Sequence, residues 1–225
     1  MGKLALELIE AAQDLQLHSA LDSKSELSHT AGADVIFDVT RLDVSENVVR
    51  HALEQGTPVL VGTSGWSAAK LAEIEADVQR ADSAVVVVPN FSIGSMLATR
   101  FAAEAAKHFS TIEIVEAHHA HKIDSPSGTA VRTAELISKQ RGNAPLVTGA
   151  DQDARGQIVA GVPIHSLRLN GVSAKQDVFL GGDSELLTIS HETTSVAAYS
   201  AGILAAIRFT ATAKGLVVGL ENVLS

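Results

Sequence analysis

The 225-residue chain has no cysteine, which excludes a disulfide scaffold, a thiolate nucleophile and a thiolate metal centre and suits a reducing compartment. Aromatic side chains are few: six Phe, one Tyr and one Trp. Core material is not short, because 46% of residues are hydrophobic and 19% charged, an ordinary globular balance that leaves no room for a disordered or fibrous chain. Basic residues are the minority, with 17 Lys and Arg against 26 Asp and Glu, for a net charge of −9. With no basic stripe, nucleic acid is not expected as a partner. No unbroken apolar run reaches the roughly 18 residues of a membrane span. Glu7, Glu10 and Asp14 punctuate an amphipathic start, so neither anchor nor signal peptide is expected and the expected location is cytoplasmic. The length allows one large domain or two small ones, each able to bury a core of its own.

Within these bounds the chain changes grammar near its middle. Leu4, Leu8, Ile9, Ala12 and Leu15 recur at helical intervals, and Leu15 to Leu21 alternates as a strand would, with Asp22 at its end. Val35–Val39 reads as a buried strand; Asp43 and Glu46 have the spacing of an N-cap and its N3 partner, opening a helix that Gly56 stops. Pro58–Val61 and Ala84–Val88 are further short strands, with a helix opening near Ser67 between them. Alternating strands and helices, with strands apolar throughout, predict a parallel sheet between helices. Beyond residue 110 a strand Thr111–Ala117, a polar loop His118–Pro126 and a helix from Ser127-Gly128 lead into a Gly/Pro-rich stretch, 142–161, read as a long surface loop. Strands at about 162–170, 174–180 and 185–191, joined by Asn170-Gly171 and Gly181-Gly182-Asp183, read as hairpins. A helix over about 195–213 and a returning strand near 216–220 complete the chain. The expected architecture is a Rossmann-like parallel-sheet domain, residues 1–90 and 214–225, with an α+β domain of mostly antiparallel sheet, residues 91–213.

Ligands of open parallel sheets sit at the carboxyl ends of the strands, here the small or polar loops after residues 21, 39, 61 and 88. Gly62-Thr63-Ser64-Gly65 would let backbone N–H groups approach a ligand, or serve only as a turn. Asp22 has the position of an acid that accepts from an adenosine ribose, or of an ordinary turn aspartate. The densest chemistry is Glu116-Ala117-His118-His119-Ala120-His121-Lys122, just before the Ser127-Gly128-Thr129 helix start. Cations beside a helix N-terminus suit a carboxylate-bearing substrate, and an imidazole among them could act as a general acid. Its competitors are a solvated loop and a three-histidine metal site. The latter lacks an HExxH pattern or a carboxylate ligand at suitable spacing, so no metal is expected.

Taken in order, these motifs resemble the dihydrodipicolinate reductases, also called 4-hydroxy-tetrahydrodipicolinate reductases, of bacterial diaminopimelate and lysine biosynthesis. Residues 116–130, EAHHAHKIDSPSGTA, are similar at every fixed position to that family's E-x-H-H-x-x-K-x-D-x-P-S-G-T-A signature. Val61-Gly62-Thr63-Ser64-Gly65, Pro89-Asn90-Phe91-Ser92 and Asp38-Val39-Thr40-Arg41 resemble its V-G-T-T-G, P/A-N-F-S and D-F-T-R stretches. The resemblance implies NADH- or NADPH-dependent reduction of a cyclic dicarboxylate to tetrahydrodipicolinate, with loss of water. It assigns His118 as general acid, Lys122 as catalytic and carboxylate-holding, and His119, Gly128 and Thr129 as further substrate contacts. On the cofactor side it assigns Gly2, Lys3, Asp22, Arg41, Gly62, Thr63, Ser64, Val88, Pro89, Asn90 and Phe91. Asp22 leans toward NADH, while Lys3 and Lys24 keep NADPH open. A homotetramer through the C-terminal sheet is implied as well.

The match has gaps. Family members open with a strand and a glycine-rich turn, whose last three residues alone correspond to Met1-Gly2-Lys3. This motivates an alternative, a catalytically impaired relative that binds the dicarboxylate or a partner chain. Ser64 replaces Thr and Val39 replaces Phe, changes expected to tune affinity, since neither removes a charge or a proton donor.

Overall fold

The computed structural model describes residues 1–142, 146, 149 and 152–225, with the side chain of residue 153 left aside. In chain order the elements are α1 (Gly2–Ala11), β1 (Ile36–Asp38), α2 (Leu42–Gln55), β2 (Val59–Val61), α3 (Ala68–Arg80), β3 (Ala84–Val87), α4 (Ile93–Ala105), β4 (Thr111–His119), α5 (Gly128–Gln140), β5 (Gln157–Val159), β6 (Val162–Leu169), β7 (Ala174–Gly181), β8 (Leu186–Thr193), α6 (Ser200–Thr210), β9 (Gly215–Val218) and α7 (Leu220–Val223). They divide into two compact units, Met1–Ile93 with Val196–Ser225, and Gly94–Ser195.

The first unit carries a parallel sheet in the order β1-β2-β3-β9. β2 and β3 are buried on both faces, as their unbroken apolar runs require. On one face Val48, Val49 and Ala52 of α2 and Ile74 and Val78 of α3 pack with Val59, Val61, Val85 and Val87. Strand alternation sends Leu60 and Val86 to the other face, where α6 lies against β2 and β3. The approach is close at Gly202, where a Cβ would stand 2.0 Å from the Phe91 carbonyl oxygen. This packing draws residues 196–213 into the first unit; the expected boundary at 213/214 had left them with the second.

Residues 15–21 alternate but form no strand. β1 is the sheet edge and pairs only with β2, so the segment has no ladder partner among the described residues, and Leu17 and Leu21 remain more than a third exposed. α2 begins two residues earlier than the Asp43 cap implied. Arg41 takes the extended N-cap conformation and its carbonyl accepts from Ser45 N, which places Asp43 inside the first turn, favourable to the helix dipole. Gly56 ends the helix in the left-handed region at φ +66°, as its position suggested.

The second unit is a sheet in the order β5-β6-β4-β7-β8, antiparallel except that β4 and β6 run parallel. β6 and β7 are therefore not hairpin partners across Asn170-Gly171; β4 lies between them. Turn residues mark where a chain reverses but do not tell which strand fills the gap. The 142–161 stretch lies partly outside the described residues, and where it is described it includes β5, paired with β6. One face of the sheet, lined by Ile112, Ile114, Val162, Ile164, Val178 and Leu180, forms a core with Ala130, Ala134 and Ile137 of α5 and with Ala102, Ala103 and Ala106. The other face exposes Ile158, Leu167, Leu169 and Leu186, each 44% or more accessible. Among the described residues no helix is long and apolar enough to cross a membrane.

Candidate functional site

β4 carries the chemistry of the second unit on its buried face. Alternation places Ile112, Ile114, Glu116 and His118 on one side, so the apolar row turns polar as the strand emerges from beneath α5. Glu116 is fully buried and surrounded by donors. Arg168 of β6 reaches it with both guanidinium nitrogens at 3.0 Å, one to each oxygen, and Ser127 N donates to Oε1 at 3.2 Å. His118 Nδ1 lies 2.5 Å from Oε2. Ser127 also caps α5, its hydroxyl accepting from Ala130 N, so the helix start and the carboxylate are tied together.

The register explains the convergence: His118 faces Arg168 on β6 and Ala174 on β7, and Glu116 faces Ser166. Burial would raise the Glu116 carboxyl, but hydrogen bonds from Arg168, Ser166 and His118 outweigh it and hold the group below the usual carboxylate range. Burial lowers the His118 imidazole below its ordinary value of 6.5, with Lys122 and Arg168 adding to the effect and Glu116 opposing it. An ionised Glu116 accepts the proton of Nδ1, which leaves Nε2 as the ring atom available for exchange. Lys122 follows in the turn after β4, largely buried, with Nζ 2.7 Å from Asp124 Oδ1. Burial would raise Asp124, yet that ammonium leaves it below the usual range. The Asp124 carbonyl accepts from Arg168 Nη2 at 2.7 Å, so one guanidinium holds both the carboxylate beside His118 and the backbone beside Lys122.

Of the expected substrate residues, the structure gathers His118, Lys122 and the α5 start, where Gly128 is exposed with open space around it and Thr129 is half-buried. His119 is the next residue on β4 and turns to the opposite face, exposed. Sequence reasoning missed Arg168 and passed over Glu116 and Asp124 as motif letters. A signal was present: over β6 the polar Ser166 and Arg168 alternate with Leu167 and Leu169, and a charged residue in register with a buried row needs a buried partner.

Of the expected cofactor residues, Arg41, Gly62, Thr63, Ser64 and residues 88–91 follow the carboxyl ends of the first unit's parallel strands β1, β2 and β3, whereas Gly2 and Lys3 lie in α1 and Asp22 follows no strand. Gly62 N donates to Asp38 O and Val88 N to Val61 O, both at 2.8 Å, so these turns continue the ladder. Gly62 is required by packing, since a Cβ there would meet the Phe91 ring at 2.8 Å and Val39 at 3.1 Å. Val88 and Phe91 belong to the core, Phe91 edge-on to Phe37, while Pro89 is exposed and Asn90 Oδ1 accepts from Ser92 N. Thr63 is buried and donates inward to Asp38 Oδ2 at 2.8 Å; Ser64 is exposed.

Asp38, which sequence reasoning used only as part of a motif, is a second buried carboxylate. Its Oδ1 accepts from Thr40 N and Oγ1 and its Oδ2 from Ser45 and Thr63, with Trp66 Nε1 donating to Ser45 Oγ. Asp22 lies in an exposed turn that its Oδ1 closes on Lys24 N and Ser25 Oγ, and the backbone bond from Lys24 holds its carboxyl low. Arg41 is exposed and pairs with Asp43 at 3.0 Å. Gly2 and Lys3 open α1, whose first turn has no side-chain cap; a Cβ on Gly2 would lie 3.7 Å from Val39, just past β1.

This division, a nucleotide-type parallel unit interrupted by a unit with a cluster of cations and a buried carboxylate, is that of the two-unit α/β oxidoreductases. The chain belongs to the dihydrodipicolinate reductase family: the family's N-terminal part matches residues 1–91 and its C-terminal part residues 94–224. A 4-hydroxy-tetrahydrodipicolinate reductase of Clavibacter sepedonicus is 54% identical across the whole chain, which spans 82% of that relative. One of Streptomyces griseus is 42% identical, again across the whole chain and 93% of the relative. A dipicolinate-bound dihydrodipicolinate reductase from Paenisporosarcina sp. TG-14 superimposes with a TM-score of 0.80 at 28% identity, covering 98% of this chain and 94% of that one. The chain is an NAD(P)H-dependent oxidoreductase of this family.

Proposed function

We propose that the second unit binds the dicarboxylate 4-hydroxy-tetrahydrodipicolinate and protonates it during its reduction to tetrahydrodipicolinate, with His118 as general acid and Lys122 as carboxylate anchor. The observation that carries this reading is the His118–Glu116 contact at 2.5 Å, beside Lys122 and at the mouth of α5. Glu116 orients the imidazole and stabilises its protonated form, so Nε2 presents a proton at a fixed place. Lys122 exchanges the Asp124 carboxylate for a carboxylate of the substrate. The start of α5 at Gly128 and Thr129 and the α5 dipole favour the same charge, while His119, on the opposite face of β4, stays outside this cluster.

NADH or NADPH supplies hydride when bound. The uncapped start of α1 at Gly2 and Lys3 fits a pyrophosphate, and the turns at Gly62–Ser64 and Val88–Phe91 would line the nicotinamide end. Asp22 would meet the adenosine ribose and Arg41 would lie on the same side. The exposed leucines on the outer face of the second unit support assembly through that sheet, as a homotetramer. A cytoplasmic setting, with no nucleic-acid or membrane partner, suits such a reductase.

Trp66, hydrogen-bonded to Ser45 just beyond the Gly62–Gly65 turn, provides the test. NADH titration should quench it saturably, and the protein should oxidise NADH in the presence of freshly condensed aspartate semialdehyde and pyruvate. His118→Gln should keep the quenching and lose about 10²- to 10⁴-fold in kcat. Full turnover in His118→Gln would remove the acid assignment. Dipicolinate binding with no NADH response from a folded sample would favour the impaired relative.

A further inference from the structure

We propose that Arg168 is a positioning residue for the proton transfer: acting through Glu116, it sets both the orientation of the His118 ring and how tightly that ring holds its proton. This rests on the reading of His118 as the acid. Glu116 is fully buried and has only two oxygens to share among Arg168, Ser127 N, Ser166 and His118. The guanidinium engages both oxygens at 3.0 Å, a fork that fixes the plane of the carboxylate and therefore the line along which it meets Nδ1. It also competes with the imidazolium for the same negative charge. A third bond, from Nη2 to the Asp124 carbonyl, places the loop that carries Lys122 under the same control.

Among the described residues the charged groups around His118 are few. Glu116 comes from its own strand, Arg168 from β6 and Lys122 with Asp124 from the following turn, while β7 presents Ala174 opposite and α5 contributes the Ser127 N–H to Glu116. Removing the guanidinium leaves Glu116 with the imidazolium as its main counter-charge, so the ring should hold its proton more tightly and release it less readily.

The experiment is a ¹⁵N-histidine NMR titration of the full chain, paired with kcat and KM as functions of pH, for wild type, Arg168→Gln and Arg168→Lys. In Arg168→Gln the His118 titration should move up by about one unit and kcat should fall about 10- to 100-fold, with KM changed much less. Arg168→Lys should bring the titration back toward wild type, because the charge returns. It should not restore kcat, because a single ammonium cannot fix both oxygens. If Arg168→Gln does not fold, Glu116→Gln replaces it, and there the neutral ring should lose its preference for the Nδ1–H tautomer. A folded Arg168 or Glu116 variant whose His118 titration and tautomer match wild type overturns the proposal, whatever its activity. The NMR readout also separates this failure from that of the parent reading, because an unimpaired His118→Gln enzyme would remove the acid role while leaving the Arg168–Glu116–His118 coupling measurable.

Discussion

Among the described residues each unit buries one carboxylate, and the two are satisfied in different ways. Asp38, at the end of β1, is held by the hydroxyls of Thr40, Ser45 and Thr63 and one backbone N–H, all neutral donors belonging to turns and a helix start. Glu116, on β4, is held by a guanidinium and an imidazole in addition to the Ser166 side chain and the N–H of a helix cap. Neutral donors can shape a turn without responding to pH over the physiological range. Donors that titrate tie the shape of a site to its protonation. The first arrangement suits a scaffold that presents backbone to a ligand; the second suits a site that must gain and lose a proton on each turnover.

The sharpest way to break this contrast is to remove a charge from the second network. Arg168→Met leaves buried Glu116 with an imidazole as its one charged donor in the network described and should cost about 3–5 kcal/mol. Hydrogen exchange should show the loss in β4, β6 and the start of α5, with β2 and β3 of the first unit retaining their protection. Next comes Asp38→Ala, which strands several hydroxyls in a buried place and should cost about 1–3 kcal/mol, read by urea denaturation. Here the exchange pattern should be the reverse, with the turns after β1 and β2 loosened and β4 unchanged.

The smallest effect expected is that of pH on the intact protein. The folded-state values of Glu116 and His118 both lie below their ordinary ones, 4.5 and 6.5. Each therefore contributes stability that is complete above its ordinary value and is lost as the pH falls through the folded one. Acidification below about pH 6.5 should weaken the second unit progressively through His118, and below about 4.5 through Glu116 as well. Exchange rates along β4 measured between pH 7 and 4 check this; a protection that stays flat there would contradict it.

The same contrast explains how far the sequence could be read. Parallel strands such as Val59–Val61 and Ala84–Val87 were legible because a strand buried on both faces must be apolar throughout. The Ser127 cap was legible because an N-cap is a local event. His118 and Lys122 stood out because they are close neighbours in the chain. Arg168 was not legible in that way: it comes 52 residues after Glu116, and only the parallel pairing of β4 with β6 brings it opposite His118. The strand expected over residues 15–21 failed for a related reason, since alternation describes one segment and a ladder needs two. The network around Asp38 joins the ends of β1 and β2 with the first turn of α2, three places whose short polar residues each pass for ordinary loop.

The first unit is also discontinuous, and this bears on the order of events during synthesis. β3 ends at Val87, but its neighbour β9 begins only at Gly215, after the whole second unit has been made. At about 5–20 residues per second the ribosome takes on the order of ten seconds to cover that gap. Throughout it β3 lacks a flanking strand and the Phe91 backbone lacks the Gly202 helix that will pack on it. The second unit, continuous from Gly94 to Ser195, is available to fold first. The nascent chain would then complete the buried Glu116–Arg168–His118 network before β9 arrives to flank β3.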